Sequence, residues 1–130
     1  MTLVIDASAL AGCLLPDEAG MDLGELIAAH DTILAPWLLW AELRNILIVT
    51  ERRGRLPLGV ADPLLEAVDG PQIILDTVPS NAGVLALSRR RDLTVHDAVY
   101  LELALRRGAA IATLDNRPAK AARAECVEAV

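Results

Sequence analysis

Short apolar runs alternate along this chain with segments in which apolar side chains recur every three or four positions. Thr2 to Ile5, Thr32 to Ala35, Ile73 to Val78 and Ala109 to Thr113 are apolar runs of strand length. Between them the helical period predicts Ala7 to Leu15 (stopped by Pro16), about Gly20 to Ala29, Pro36 to about Arg53 (stopped by Gly54) and Pro57 to roughly Val68. Asp69-Gly70-Pro71 reads as a turn, and further helices are expected from Ser80 to Arg91, Thr94 to Arg107 (stopped by Gly108) and Asn116 to Ala124. Cys126 to Val130 could add an edge strand. Strands separated by helices imply right-handed crossovers, so the expected fold class is α/β: three layers, α/β/α, around a small, mainly parallel sheet of four to five strands. Such sheets take ligands at the carboxyl ends of their strands.

Length and composition narrow the picture. With 130 residues, of which 54% are hydrophobic, the chain is expected to form a single domain, residues 1–130, with ample material for one core. Pro36 and Glu42 interrupt the apolar run around Trp37 to Trp40, and no run approaches the ~18 residues of a membrane span. Thr2 to Ile5 follows the first residue directly, without a basic or signal-like segment, so a cytoplasmic protein is expected. Cys13 and Cys126 lack CxxC spacing and read as buried free thiols. With only His30 and His96, a soft-metal site has too few donors; oxygen ligands, and hence Mg²⁺ or Mn²⁺, are favoured.

A net charge of −6 argues against a broad electrostatic grip on nucleic acid, but the distribution matters more than the sum. Only Lys120 among the 12 basic residues is a lysine, and arginines cluster at 52, 53 and 55, at 89 to 91, and at 106 and 107. Each cluster reads first as a solvated helix end, where cations suit the dipole.

Four acids occupy positions where strand ends or helix flanks would present them to one crevice: Asp6 in VIDAS, Glu42 in WAELRN, Asp97 in LTVHDAVYLELA and Asp115 in ATLDN. Each also has a plainer reading. Asp6 could cap the helix beginning at Ala7, and Thr94-x-x-Asp97 resembles a capping box, so capping and metal binding would compete for the Asp97 carboxylate. Glu42 falls on a mostly apolar helix face with Leu38, Leu39, Asn45 and Ile46, where an unpaired carboxylate is costly; an arginine partner is the plain alternative. Asn116 is the better-placed cap of the last helix, which leaves Asp115 less employed. Together, four carboxylates sharing a crevice repel unless cations hold them, and one or two Mg²⁺ or Mn²⁺ ions there suit phosphodiester hydrolysis. Ser8, Asn45 and Thr113 are secondary candidates to line that site, while Asp17, Glu18, Asp31, Asp62 and Asp76 read as loop, cap or solvent-facing acids.

VIDASAL, the AEL-N segment with Glu42, LTVHDAVYLELALRRGAAIATLD and the AA-A segment after it resemble, over essentially the whole chain, the PIN-domain ribonucleases, and within them the VapC toxins of toxin-antitoxin modules. The resemblance implies that Asp6, Glu42, Asp97 and Asp115 coordinate Mg²⁺ or Mn²⁺ as the catalytic and metal residues, with Ser8 and Thr113 lining the site. It also implies an RNA substrate, a homodimer and a small VapB-like antitoxin that blocks the site. Pro118 departs from the family pattern, where an apolar residue such as Leu is common, without touching the four acids. Independently, a mean hydropathy of +0.41 suggests apolar surface available for interfaces, with Leu38 to Val49 and Leu56 to Leu65 as candidate patches.

The expected activity is therefore metal-dependent endoribonuclease cleavage, leaving 5′-phosphate and 3′-hydroxyl ends. A haloacid dehalogenase-type phosphotransferase would need a second acid at Ser8 and a lysine before the final acidic motif, and both are missing. A catalytically silent PIN-like scaffold binding RNA or protein is the other alternative; a low aromatic content of 2% gives it little stacking capacity.

Overall fold

Four parallel strands, ordered β3-β2-β1-β4, form the sheet of the computed structural model, which describes residues 1–15, 20–69 and 72–130. In chain order the elements are β1 (Thr2–Ile5), α1 (Ala7–Leu14), α2 (Leu23–Ala29), β2 (Thr32–Pro36), α3 (Leu39–Arg52), α4 (Ala61–Val68), β3 (Ile73–Asp76), α5 (Asn81–Arg91), α6 (Val95–Arg107), β4 (Ala110–Ala112) and α7 (Asn116–Ala124). The expected α/β class and parallel sheet are thus present. Pro16, Asp17, Glu18, Gly70 and Pro71 lie outside the described residues.

β1 is apolar without alternation because it is buried on both faces: Leu3, Val4 and Ile5 are all fully buried. β1 to β2 to β3 steps one way across the sheet, and the return from β3 to β4 crosses back past β1. With right-handed crossovers, α1 to α4 cover one face and α5 and α6 the other. α6 is the central helix of its layer, packed on β1 and β2 and flanked by α5 and α7. Its Leu101 and Leu103 are buried to within 1%. The order in which strands are added therefore reverses between β1 and β4, which puts a topological switch point at the carboxyl ends of those two parallel strands.

Several expected boundaries shift, each for a local reason. Pro36 closes β2 instead of opening the next helix, because it overhangs the residues that β1 pairs with and faces only Asp76 of β3. α4 begins at Ala61, not Pro57, since Gly59 adopts a left-handed φ of 84° that a helix cannot hold. α2 starts after Asp22, whose carboxylate accepts the Glu25 N–H at 2.9 Å. β3 stops at Asp76. The expected edge strand at 126–130 is reduced to one bridge, Ala129 to Ile111, following a left-handed Cys126.

Other expectations need correction. Cys126 is exposed and Cys13 only half-buried, although both are free thiols. Asp76 is no solvent-facing acid: Arg106 donates from Nη2 to Asp76 Oδ2 at 2.7 Å and from Nε to Glu102 Oε1 at 2.8 Å, joining α6 to the end of β3. In the candidate interface patches Leu39, Leu43, Leu47 and Leu56 belong to the core, while Trp40, Ile48 and Leu58 remain exposed.

Candidate metal centre

Asp6 and Asp115 stand just past the ends of β1 and β4, at the switch point, while Glu42 and Asp97 lie in the first turns of α3 and α6. Asp6 leaves β1 and caps α1: its Oδ1 accepts from the Ala9 N–H at 2.9 Å and from the Ser8 hydroxyl at 2.7 Å. Capping and a functional role do not compete here, because both bonds fall on one oxygen. The Asp6 N–H donates to the Ala112 carbonyl at 3.0 Å, which locks the end of β1 to β4. Across that seam the Ser8 hydroxyl lies 3.4 Å from Thr113 Oγ1 and accepts the Leu114 N–H at 3.0 Å. Thr113 in turn accepts the Asp115 N–H at 3.1 Å. Ser8 and Thr113 therefore fix the two strand-end acids relative to one another.

Asp115 occupies the cap position of α7, and Asn116 is the first helical residue, contrary to expectation. Its side chain nevertheless makes no capping bond and stays exposed, so the carboxylate has no described structural duty. At Asp97 the cap uses the backbone: the Asp97 N–H donates to Thr94 Oγ1 at 3.1 Å, which leaves its half-buried carboxylate available to the crevice. The expected competition is thereby removed.

Glu42 lies in the first turn of α3, half-buried. Its partner is not an arginine but Tyr100, whose hydroxyl donates to Oε1 at 2.6 Å. Burial first, and then the neighbouring Glu42 carboxylate, push the Tyr100 hydroxyl far above its ordinary range, so it remains a proton donor. Sequence reasoning passed over Tyr100, although it stands one turn after Asp97 on the same face of α6. Asn45 makes no described bond to Glu42 and borders a hollow with Ser8 and Asp115. His96 is exposed.

Electrostatics link these acids. Burial pushes the Asp6 carboxyl above its usual value, hydrogen bonds from Thr113, Ala9 and Ser8 oppose this, and the charge of Asp115 adds to it. Asp97 is raised by burial and then by Asp115, against weaker lowering from Thr94, His96 and Arg117. The charge of Asp115 thus raises both Asp6 and Asp97, and the charge of Asp6 in turn raises Tyr100, the Glu42 partner. Among the described residues no three carboxylate, histidine or cysteine side chains close into a ready-made metal cage. The donor chemistry nonetheless fits a hard divalent cation: hydroxyl and carboxylate oxygens only, two of the acids desolvated and in want of positive charge.

The family model of the PIN domain matches residues 3–124. This chain belongs to the PIN-domain family. Within the family it is similar to Ribonuclease VapC3 of Pyrobaculum aerophilum, at 33% identity over 124 residues, covering 92% of this chain and 94% of that protein. Two solved structures share the fold. Protein PAE2754 of Pyrobaculum aerophilum superposes with a TM-score of 0.76 at 24% identity, over 93% of this chain and 79% of the other. Mycobacterium tuberculosis VapC20, described as a sarcin-ricin loop cleaving toxin, gives 0.63 at 12% identity, over 92% and 94%.

Proposed function

We propose that the protein is a Mg²⁺- or Mn²⁺-dependent endoribonuclease and the toxin of a VapBC-type toxin-antitoxin pair. What supports this reading is Asp6 and Asp115 just past the ends of β1 and β4, the charge of Asp115 acting on both Asp6 and Asp97, and the Tyr100 hydroxyl that ties Glu42 to α6, in a chain one-third identical to a ribonuclease. These four acids would hold one or two ions. A bound divalent cation lowers the pKa of water and offsets charge at the leaving oxygen of a phosphodiester.

The chain's own residues do the positioning. Ser8 and the Ala9 N–H fix the Asp6 carboxylate, Tyr100 orients Glu42, and Thr113 sets the backbone of Asp115. Asp115, exposed, would need a bound cation between it and an RNA phosphate. In-line attack by water leaves a 5′-phosphate and a 3′-hydroxyl. A small VapB-like antitoxin would block the site, and a homodimer acting in the cytoplasm completes the reading; among the described residues no helix is long and apolar enough to cross a membrane. A silent scaffold would have no use for two desolvated acids facing a third.

The test is cleavage of a labelled RNA by the purified protein with Mn²⁺ or Mg²⁺ and with excess EDTA. Cutting is expected only with free metal, with 5′-phosphate ends. Activity that survives full chelation, or 2′,3′-cyclic phosphate products, would overturn the mechanism.

A further inference from the structure

Two hollows carry cations near the acids, the first containing Asp115 and the second reached from it through Arg117. The first, of about 470 Å³, includes Ser8, Asn45 and Asp115, and further on it includes Thr50 near the end of α3 and Arg53 and Arg55 just past it. α3 rises ~1.5 Å per residue, so Arg53 stands roughly 16 Å along the helix from Glu42. The second, of about 390 Å³, is lined by Arg90, Arg91, Asp92, Arg117 and Lys120. Arg117 follows Asp115 by two residues, and its guanidinium lies 3.4 Å from the Asp92 carbonyl and close enough to Asp97 to favour its ionised form. Both volumes fall within the ~300–1,000 Å³ of ligand clefts.

The cations differ in how they are used. Arg90 and Arg91 are both committed to Glu125. Arg53, Arg55, Arg117 and Lys120 are exposed and form no ion pair among the described residues. In a chain of net charge −6, free cations gathered in the two hollows that meet around Asp115 to Arg117 match a polyanion passing the acids. Neither hollow contains an aromatic side chain, so the grip is on phosphates and not on stacked bases.

We propose that an RNA strand passes the acids with its backbone seated in both hollows, Arg53 and Arg55 taking phosphates on one flank of the cut bond and Arg117 and Lys120 on the other. This rests on the RNA-cleaving reading and adds to it a substrate that extends past the cut on both sides.

The experiment uses an RNA that the wild-type protein cuts with Mn²⁺, and measures KM and its salt dependence for Arg53→Ala/Arg55→Ala and Arg117→Ala/Lys120→Ala. As a control, Arg89→Ala/Arg123→Ala removes the same charge from exposed positions outside both hollows. Each hollow pair is expected to raise KM about tenfold and to flatten the log–log salt slope by about 1.4, at ~0.7 for each phosphate that is no longer neutralised. The control pair should change neither. Trimming the RNA on one side of the cut should abolish the effect of one hollow pair and leave that of the other. An unchanged KM in both hollow pairs, or an equal change in the control pair, overturns the proposal. So does failure of the hollow variants to capture an acidic peptide that wild type captures, with RNA KM unchanged, which would assign the hollows to a protein. Wild-type protein that cuts no RNA with Mn²⁺ overturns the enzyme reading itself.

Discussion

Asp6→Asn is expected to lower RNA cleavage by at least ~10³-fold while the metal-free protein melts at the same temperature or higher. The activity loss follows from removing a buried anion beside which a cation would stabilise several kcal/mol of transition-state charge. The stability result follows from the same burial. An amide oxygen can still accept from Ala9 N–H and the Ser8 hydroxyl, so the α1 cap survives. Burial raises the Asp6 pKa above 3.8, so over the interval between that value and the raised one the native state keeps a proton that the unfolded chain has lost. The contribution favours folding at low pH and disappears as pH rises through the raised pKa. At neutral pH the wild type therefore carries a desolvated carboxylate that asparagine lacks. Melting curves in EDTA at mildly acidic and neutral pH check this, and the advantage of the variant should grow with pH. Asp97→Asn should behave alike, with a smaller gain because Asp97 is only half-buried. A melting temperature several degrees below wild type at neutral pH would make Asp6 a structural strut instead.

The second large effect lies away from the site. Arg106→Ala leaves Glu102, whose side chain is 6% exposed, without its partner, and also unties Asp76 from α6. Removing one member of a buried ion pair costs ~3–5 kcal/mol; with the Arg106 side chain 30% exposed, solvent screening reduces this to about 2–3 kcal/mol. For a chain of this length the melting temperature should fall by about 10 °C. Glu102→Gln in the same chain should recover most of the loss, because the uncompensated charge is then gone. A double variant no more stable than Arg106→Ala would show that guanidinium packing, not charge, supports this corner.

The acid positions were legible in the sequence because each follows from a boundary signal: a strand end before Asp6 and Asp115, a cap before Asp97, an amphipathic helix around Glu42. Parallel strands separated by helices were legible for the same reason, since a strand buried on both faces reads as an unbroken apolar run. What stayed hidden depends on contacts between distant segments. Tyr100 is a side chain on an amphipathic helix until α3 is packed beside α6, 58 residues away in sequence, and only then does its hydroxyl meet Glu42. Glu102 and Asp76 look like ordinary surface acids until Arg106 bridges them. Pro36 shows the limit of local rules: a proline before a helical period marks a helix start, yet strand register past the end of β1 made it the last residue of β2. Asp115 shows the converse, keeping a free carboxylate even though it, and not Asn116, holds the cap position.

The central claim is that these carboxylates together hold a divalent cation, and calorimetric titration of Mn²⁺ tests it directly. Wild-type protein is expected to bind Mn²⁺ with heat that vanishes in Asp97→Asn, and Tyr100→Phe, which frees Glu42 without emptying the core, should bind roughly 10–100-fold more weakly. Equal Mn²⁺ affinity in wild type and Asp97→Asn, both folded, would contradict the claim.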